Sequence, residues 1–200
     1  YYNLTISNPN GNWNGGVSTI NGTLTFGGTG NMGNVSGFTL NGNLAKTGSG
    51  TITCNAARAV GGNVTVSSGV LYAQYGINVA GTTTISGTGT LQLGNQSSGT
   101  GTFTGDFSIS AGTFNSSFGG QNPAVSFGGN LTVSGGTFTA GTGAHTFSGT
   151  GKTITGTISI PSLTVSGAIT NAGALTVSTT LAGAGTLTQG ASSTLNIAAA

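Results

Sequence analysis

The sequence predicts an all-β protein: a single parallel β-solenoid of roughly nine coils, each about 19–24 residues long with three short strands. Three observations carry this expectation. A sequence unit recurs at a near-fixed offset. Inside the unit, apolar and polar residues alternate with a period of two. Gly, Thr, Ser and Asn fill 117 of the 200 positions, a composition that disfavours helix interiors and suits short strands joined by tight corners.

The repeat shows best in two stretches, Gly105-Asp-Phe-Ser-Ile-Ser-Ala-Gly-Thr-Phe-Asn-Ser116 and Gly129-Asn-Leu-Thr-Val-Ser-Gly-Gly-Thr-Phe-Thr-Ala140, which match in character at an offset of 24. The same unit starts at Gly62, with weaker copies at Gly22, Gly42, Gly81 and Gly173 and an opening copy at Tyr2-Asn-Leu-Thr-Ile-Ser7. Between Gly129 and Gly173 there is room for two units, with a poor start at Gly151. Pro161-Ser-Leu-Thr-Val-Ser-Gly167 is a good copy that falls out of phase. Within a unit, Leu131 and Val133 point to one side and Asn130, Thr132 and Ser134 to the other. A glycine-containing corner follows, then a second strand such as Thr137-Phe-Thr139. A third strand precedes the unit, as in Val125-Ser-Phe127, Phe38-Thr-Leu40 and Ile77-Asn-Val79. One such unit cannot bury its own apolar side. Stacked units bury it continuously, giving one domain over 1–200, a rod on the order of 45 Å long at ~4.8 Å per coil. The stretch 8–16, rich in Asn and Gly, is expected as an irregular loop near the N-terminal end.

Charge is nearly absent. The charged side chains are Lys46, Arg58, Lys152 and Asp106. Stacking explains much of this: a residue repeated every ~4.8 Å forms a column, in which like charges repel while Thr, Ser and Asn join in hydrogen-bonded ladders. Asn63, Thr65, Asn130, Thr132 and Thr176 are the ladder candidates. Three cations make no basic patch, so nucleic acid is not an expected partner. No apolar run reaches the ~18 residues of a membrane helix, so no membrane insertion is expected.

The same scarcity argues against catalysis. Glycoside hydrolysis needs two carboxylates, and the chain has one. Cys54, Asp106 and His145 are formally a nucleophilic trio, but the repeat spacing sets them coils apart; Cys54 is expected inside, Asp106 and His145 at corners. No metal site or cofactor is expected. Gly28-Thr-Gly-Asn-Met-Gly33 and Gly149-Thr-Gly-Lys-Thr153 imitate nucleotide-binding loops without the helix such loops require. Asn-X-Ser/Thr triplets occur at Asn3, Asn21, Asn34, Asn63, Asn95, Asn115 and Asn130, where composition alone generates them and ladder formation is the expected role.

Units such as 129–138 and 1–7 resemble the repeats of large bacterial surface and secreted β-solenoids, the autotransporter-passenger-like and filamentous-haemagglutinin-like adhesins. The resemblance implies an extracellular or cell-surface stalk, adhesin or filament subunit without catalysis, and carries over no binding residue. The chain starts inside a repeat and ends without a charged cap, so it is expected to be a segment of a longer array or a subunit that associates with copies of itself. Two other functions are open. Thr-X-Thr pairs at Thr23/Thr25, Thr51/Thr53, Thr102/Thr104, Thr137/Thr139, Thr153/Thr155 and Thr186/Thr188 suggest ice binding, but their phases place several on different sides. Tyr1, Tyr2, Trp13, Tyr72 and Tyr75 are candidate aromatics for self-association or for a neutral polysaccharide, with Tyr72 and Tyr75 exposed together on a corner and Trp13 covering the first coil.

Overall fold

The computed structural model describes residues 1–7, 10–94 and 99–198. Every strand-to-strand ladder among them is parallel, and the chain winds about nine turns of a β-solenoid with three faces. The first face is a ten-stranded sheet that opens with Leu4–Ile6, Thr23–Phe26 and Asn43–Lys46 and closes with Thr186–Gln189. The second and third faces form one fifteen-stranded sheet, because Gly11–Ile20, Met32–Leu40, Thr157–Val165 and Ala174–Ala182 run round the corner between them. Among the described residues no ladder joins Thr137–Thr139 to 157–160, so the second face is interrupted after the seventh turn.

Turn length follows from the register of the first face. Leu4 pairs with Leu24, and the column continues through Leu44, Val64, Thr83, Phe107, Leu131, Ile154, Asn171 and Gln189. The steps are therefore 20, 20, 20, 19, 24, 24, 23, 17 and 18 residues. The last two fall below the expected range. There the first corner shrinks to Gly156, whose φ is 107°, and the second and third faces share one unbroken strand.

These ladders correct one assignment and place the out-of-phase copy. The unit at Gly173 does not belong with Gly22, Gly42 and Gly62: Ala174 pairs with Thr157 and Thr194 on the second face. The out-of-phase copy lies on the third face, where Leu163 and Val165 pair with His145 and Phe147. All three faces use the same strand, inward–outward–inward, so the local pattern does not reveal the face. Of the stretch 8–16, expected as an irregular loop, Asn8 and Pro9 lie outside the described residues. From Gly11 onward it is strand, and its irregularity takes the form of register shifts between Asn12 and Asn14 and between Asn14 and Ser18.

The inward positions stack into columns. Phe127 lies stacked between Phe103 and Phe147, with centroids 5.7 and 5.0 Å away, while Phe107 and Phe114 meet it edge-on. Such pairs add about 0.5–1.5 kcal/mol each beyond area burial. At the edge of the first face stands a glycine column, Gly22, Gly42, Gly62, Gly81, Gly105 and Gly129. A Cβ at Gly42 would overlap the Gly22 carbonyl, and one at Gly129 the Gly105 carbonyl. Here glycine is needed for close approach of successive turns.

Candidate functional surfaces

Among the described residues no helix is long and apolar enough to cross a membrane. The outward positions of the three faces, together with the corners, are what a partner meets.

On the first face, two outward columns flank the inward Leu4–Leu24–Leu44 column. One contains Asn3, Thr23, Asn43, Asn63, Thr82, Asp106, Asn130 and Thr153. Here the side-chain oxygen of one turn accepts the backbone N–H of the next: Thr23 donates to Asn3 Oδ1 at 2.7 Å, Asn63 to Asn43 and Thr82 to Asn63 at 2.8 Å, and Thr153 to Asn130 at 2.9 Å. Asp106 occupies the same position, its Oδ1 accepting from the Asn130 backbone N–H at 2.8 Å and from Asn130 Nδ2 at 3.1 Å. The lone acid thus stands in for an asparagine, and these two hydrogen bonds hold its pKa below the ordinary aspartate value. The second column holds Thr5, Thr25, Ala45, Thr65, Thr84, Ser108 and Thr132. Thr176 stands elsewhere, on the second face between Ser159 and Asn196.

Two of the three cations are inside. Lys46 is 1% exposed, and its ammonium donates to the carbonyls of Gly48 and, at 3.2 Å, Ser68. Burial lowers its pKa. Arg58 is 8% exposed and lies 4.7 Å above the Phe38 ring, with Nη1 donating to the Phe38 carbonyl at 3.4 Å. Among the described side chains, Asp106 and Lys152 alone bring charge towards solvent.

The Cys54–Asp106–His145 trio is not brought together. Cys54 lies in the third turn, buried near Arg58, with its thiol pushed up to about 11 mainly by that burial. Asp106 is exposed at the start of the sixth turn, and His145 sits in the seventh. His145 is not at a corner as expected but fully buried, in the inward column between Val125 and Leu163. Its Nε2 lies 3.0 Å from Ser116 Oγ and its Nδ1 lies 2.8 Å from the Gly143 carbonyl. With Nδ1–H donating to Gly143, the Ser116 hydroxyl donates to Nε2, and the Gly141 N–H donates to Ser116 at 3.0 Å. Sequence reasoning missed this pair because the two residues are 29 apart and on different faces. Both are fully buried, so no substrate reaches them. Among the described residues there is no group of three or more His, Cys, Asp or Glu that could hold a metal.

No family model, curated protein or solved structure matches this chain.

The candidate aromatics are dispersed. Tyr1 and Tyr2 are exposed at the N-terminal end. Trp13 is half-buried against Phe38 and Phe26, at 5.0 and 6.2 Å between centroids, over the first turns of the core. Tyr72 and Tyr75 do not form an exposed pair. Tyr72 is buried beneath Phe118, met edge-on at 5.1 Å, and Tyr75 is half-buried. The Thr-X-Thr pairs are split as their phases indicated. Thr23/Thr25, Thr153/Thr155 and Thr186/Thr188 lie on the first face, Thr51/Thr53 and Thr137/Thr139 on the second, and Thr102/Thr104 spans the end of the third. Asn, Ala45 and Asp106 interrupt the first face, and Val70, Tyr72 and Ala174 the second. Of the sequons, Asn95 lies outside the described residues.

Proposed function

We propose that this chain is a non-catalytic structural β-solenoid of the cell exterior, a self-associating filament or surface-layer subunit or a segment of an adhesin stalk. The observation that carries the reading is the neutrality of the surface. Stacked Thr, Asn, Ser, Ala and Gly fill the outward columns, while Lys46 and Arg58 are turned inside. Net surface charge is what keeps most soluble proteins apart. A rod that lacks it meets little electrostatic opposition to side-by-side packing. Its polar columns offer hydroxyls and amides at ~4.8 Å intervals to another rod built on the same interval. The placement outside the cell rests on the repeat resemblance.

Electron microscopy and sedimentation of the purified 200-residue chain test the reading. Lateral bundles or filaments that grow with concentration are expected. A chain that remains a dispersed monomer at the highest soluble concentration overturns self-association.

A further inference from the structure

Three hollows lie along the third face and its corners. The largest, about 460 Å³, spans the second to fifth turns and is walled by Thr39 and Asn41, Ala57 and Ala59, Asn78 and Thr104. A second, about 410 Å³, adjoins it at Phe38 and Thr39 and reaches Asn14 and Gly16 of the first turn. A third, about 240 Å³, lies between Thr100, Thr102, Ser126 and Thr146, further along the same face.

The largest hollow has a clear origin in sequence. The outward column of the third face reads Thr39, Ala59, Asn78, Thr102, Ser126, Thr146. The adjoining corner reads Asn41, Gly61, Ala80, Thr104. In the third turn, Ala-Ala-Arg-Ala-Val-Gly-Gly (56–62) supplies methyls and bare Cα atoms where its neighbours supply Thr and Asn. Its one large polar side chain, Arg58, is drawn into the core.

We propose that this axial trough binds a neutral, extended polysaccharide, centred on Ala59 and Asn78. The one charged group that lines it, Arg58, is 8% exposed and laid over the Phe38 ring, so the open part of the wall has little to compensate an anionic or cationic ligand for lost hydration. The strands beneath it are interior to a sheet, paired on both sides. Their backbone groups are therefore not free to add an extended peptide as another strand. What remains is an Ala/Gly floor rimmed by the hydroxyls of Thr39 and Thr104 and the amides of Asn41 and Asn78. Each rim group both donates and accepts. This combination fits a pyranose ring, which presents C–H groups on its face and hydroxyls at its edge. The volume lies in the range of small-ligand sites, but the trough is open and continues along the axis, so its occupant is a chain. Each turn advances ~4.8 Å, the order of one sugar unit. The inference goes beyond the structural reading and does not depend on it, since the trough belongs to a single chain.

The test is isothermal titration of the full chain with three soluble neutral polymers (mixed-linkage β-glucan, galactomannan and dextran) and with two anionic ones, alginate and heparin. Saturable binding to at least one neutral polymer and not to the anionic pair is expected. Ala59→Asn continues the Thr39–Asn78 column and fills the hollow, so it should keep the melting temperature and weaken binding at least about tenfold. Asn78→Ala should weaken it similarly, while Thr65→Ala on the first face should bind as the parent. Silence with all three neutral polymers, preference for an anionic one, or unchanged binding by both trough variants overturns the proposal. So does a loss of self-association in Ala59→Asn without any glycan binding, which would make the trough a contact between copies. Filaments that persist in Ala59→Asn separate the fate of this inference from that of the structural reading.

Discussion

Thr83 stands in an inward column between Val64 of the turn below and Phe107 of the turn above. It is fully buried, and its Oγ1 has no hydrogen-bond partner. A buried hydroxyl left unpaired costs about 1–3 kcal/mol. Thr83→Val keeps the shape and removes the hydroxyl, so it should stabilise by about 1 kcal/mol, read as a higher urea midpoint. An unchanged or lower midpoint would show that the hydroxyl is satisfied. Thr83 takes the inward phase of the alternation, in the place of Leu44 and Leu24 two and three turns earlier. Lys46 follows the same rule, inward between Phe26 and Val66. Its burial was not legible, because a charged residue in an inward phase is satisfied only by carbonyls of the corner, Gly48 and Ser68, that the fold brings to it.

At the scale of the element, a strand here is one rung of a column, and side chains act through the rung above. Asp106 shows this. Asparagine makes the same acceptor bond at Asn43, Asn63 and Asn130, so Asp106→Asn should leave stability at pH 7 within about 0.5 kcal/mol. Acid should distinguish them. The folded pKa of Asp106 is depressed, so its contribution is present above the unfolded value of ~3.9 and is lost as pH falls through the folded pKa. The variant should lack that step. His145 supplies another. Burial lowers its folded pKa, so stability is full above ~6.5 and declines as the unfolded chain protonates below that pH. Denaturation midpoints from pH 7 to pH 3 should therefore fall in two stages in the parent and lose only the lower stage in Asp106→Asn. Loss of the upper stage instead would contradict the assignment. The strands of this column were readable from the repeat through Gly129. Beyond it, corners of one residue and strands that bend between faces removed the punctuation on which phase depends, and the Leu-Thr-Val triplets of 163–165 and 175–177 were displaced to other faces.

For the whole molecule, the consequence of stacking is a surface with almost no charge. Screening can act only on exposed charges, and here these are chiefly Asp106 and Lys152, which attract each other weakly. The melting temperature should therefore move by no more than about 2 °C between low salt and about 0.5 M sodium chloride. A larger shift, followed by circular dichroism, would mean that Lys46 or Arg58 reaches solvent.

The sequence by itself determined the all-β class, the turn-sized repeat, the inward and outward phase within the clear repeat units and the scarcity of charge. Each of these follows from local alternation, from glycine at close approaches and from composition. Tertiary structure alone decided which face a strand occupies and which residues meet: Ser116 with His145, Arg58 with Phe38, Tyr72 with Phe118, and the small residues of the third turn with the hollow above them. The reason is geometric. In a parallel coil the neighbour in space is one turn away along the chain, and the turns range from 17 to 24 residues. Every stacked pair therefore depends on the summed lengths of the corners before it, which no local pattern encodes.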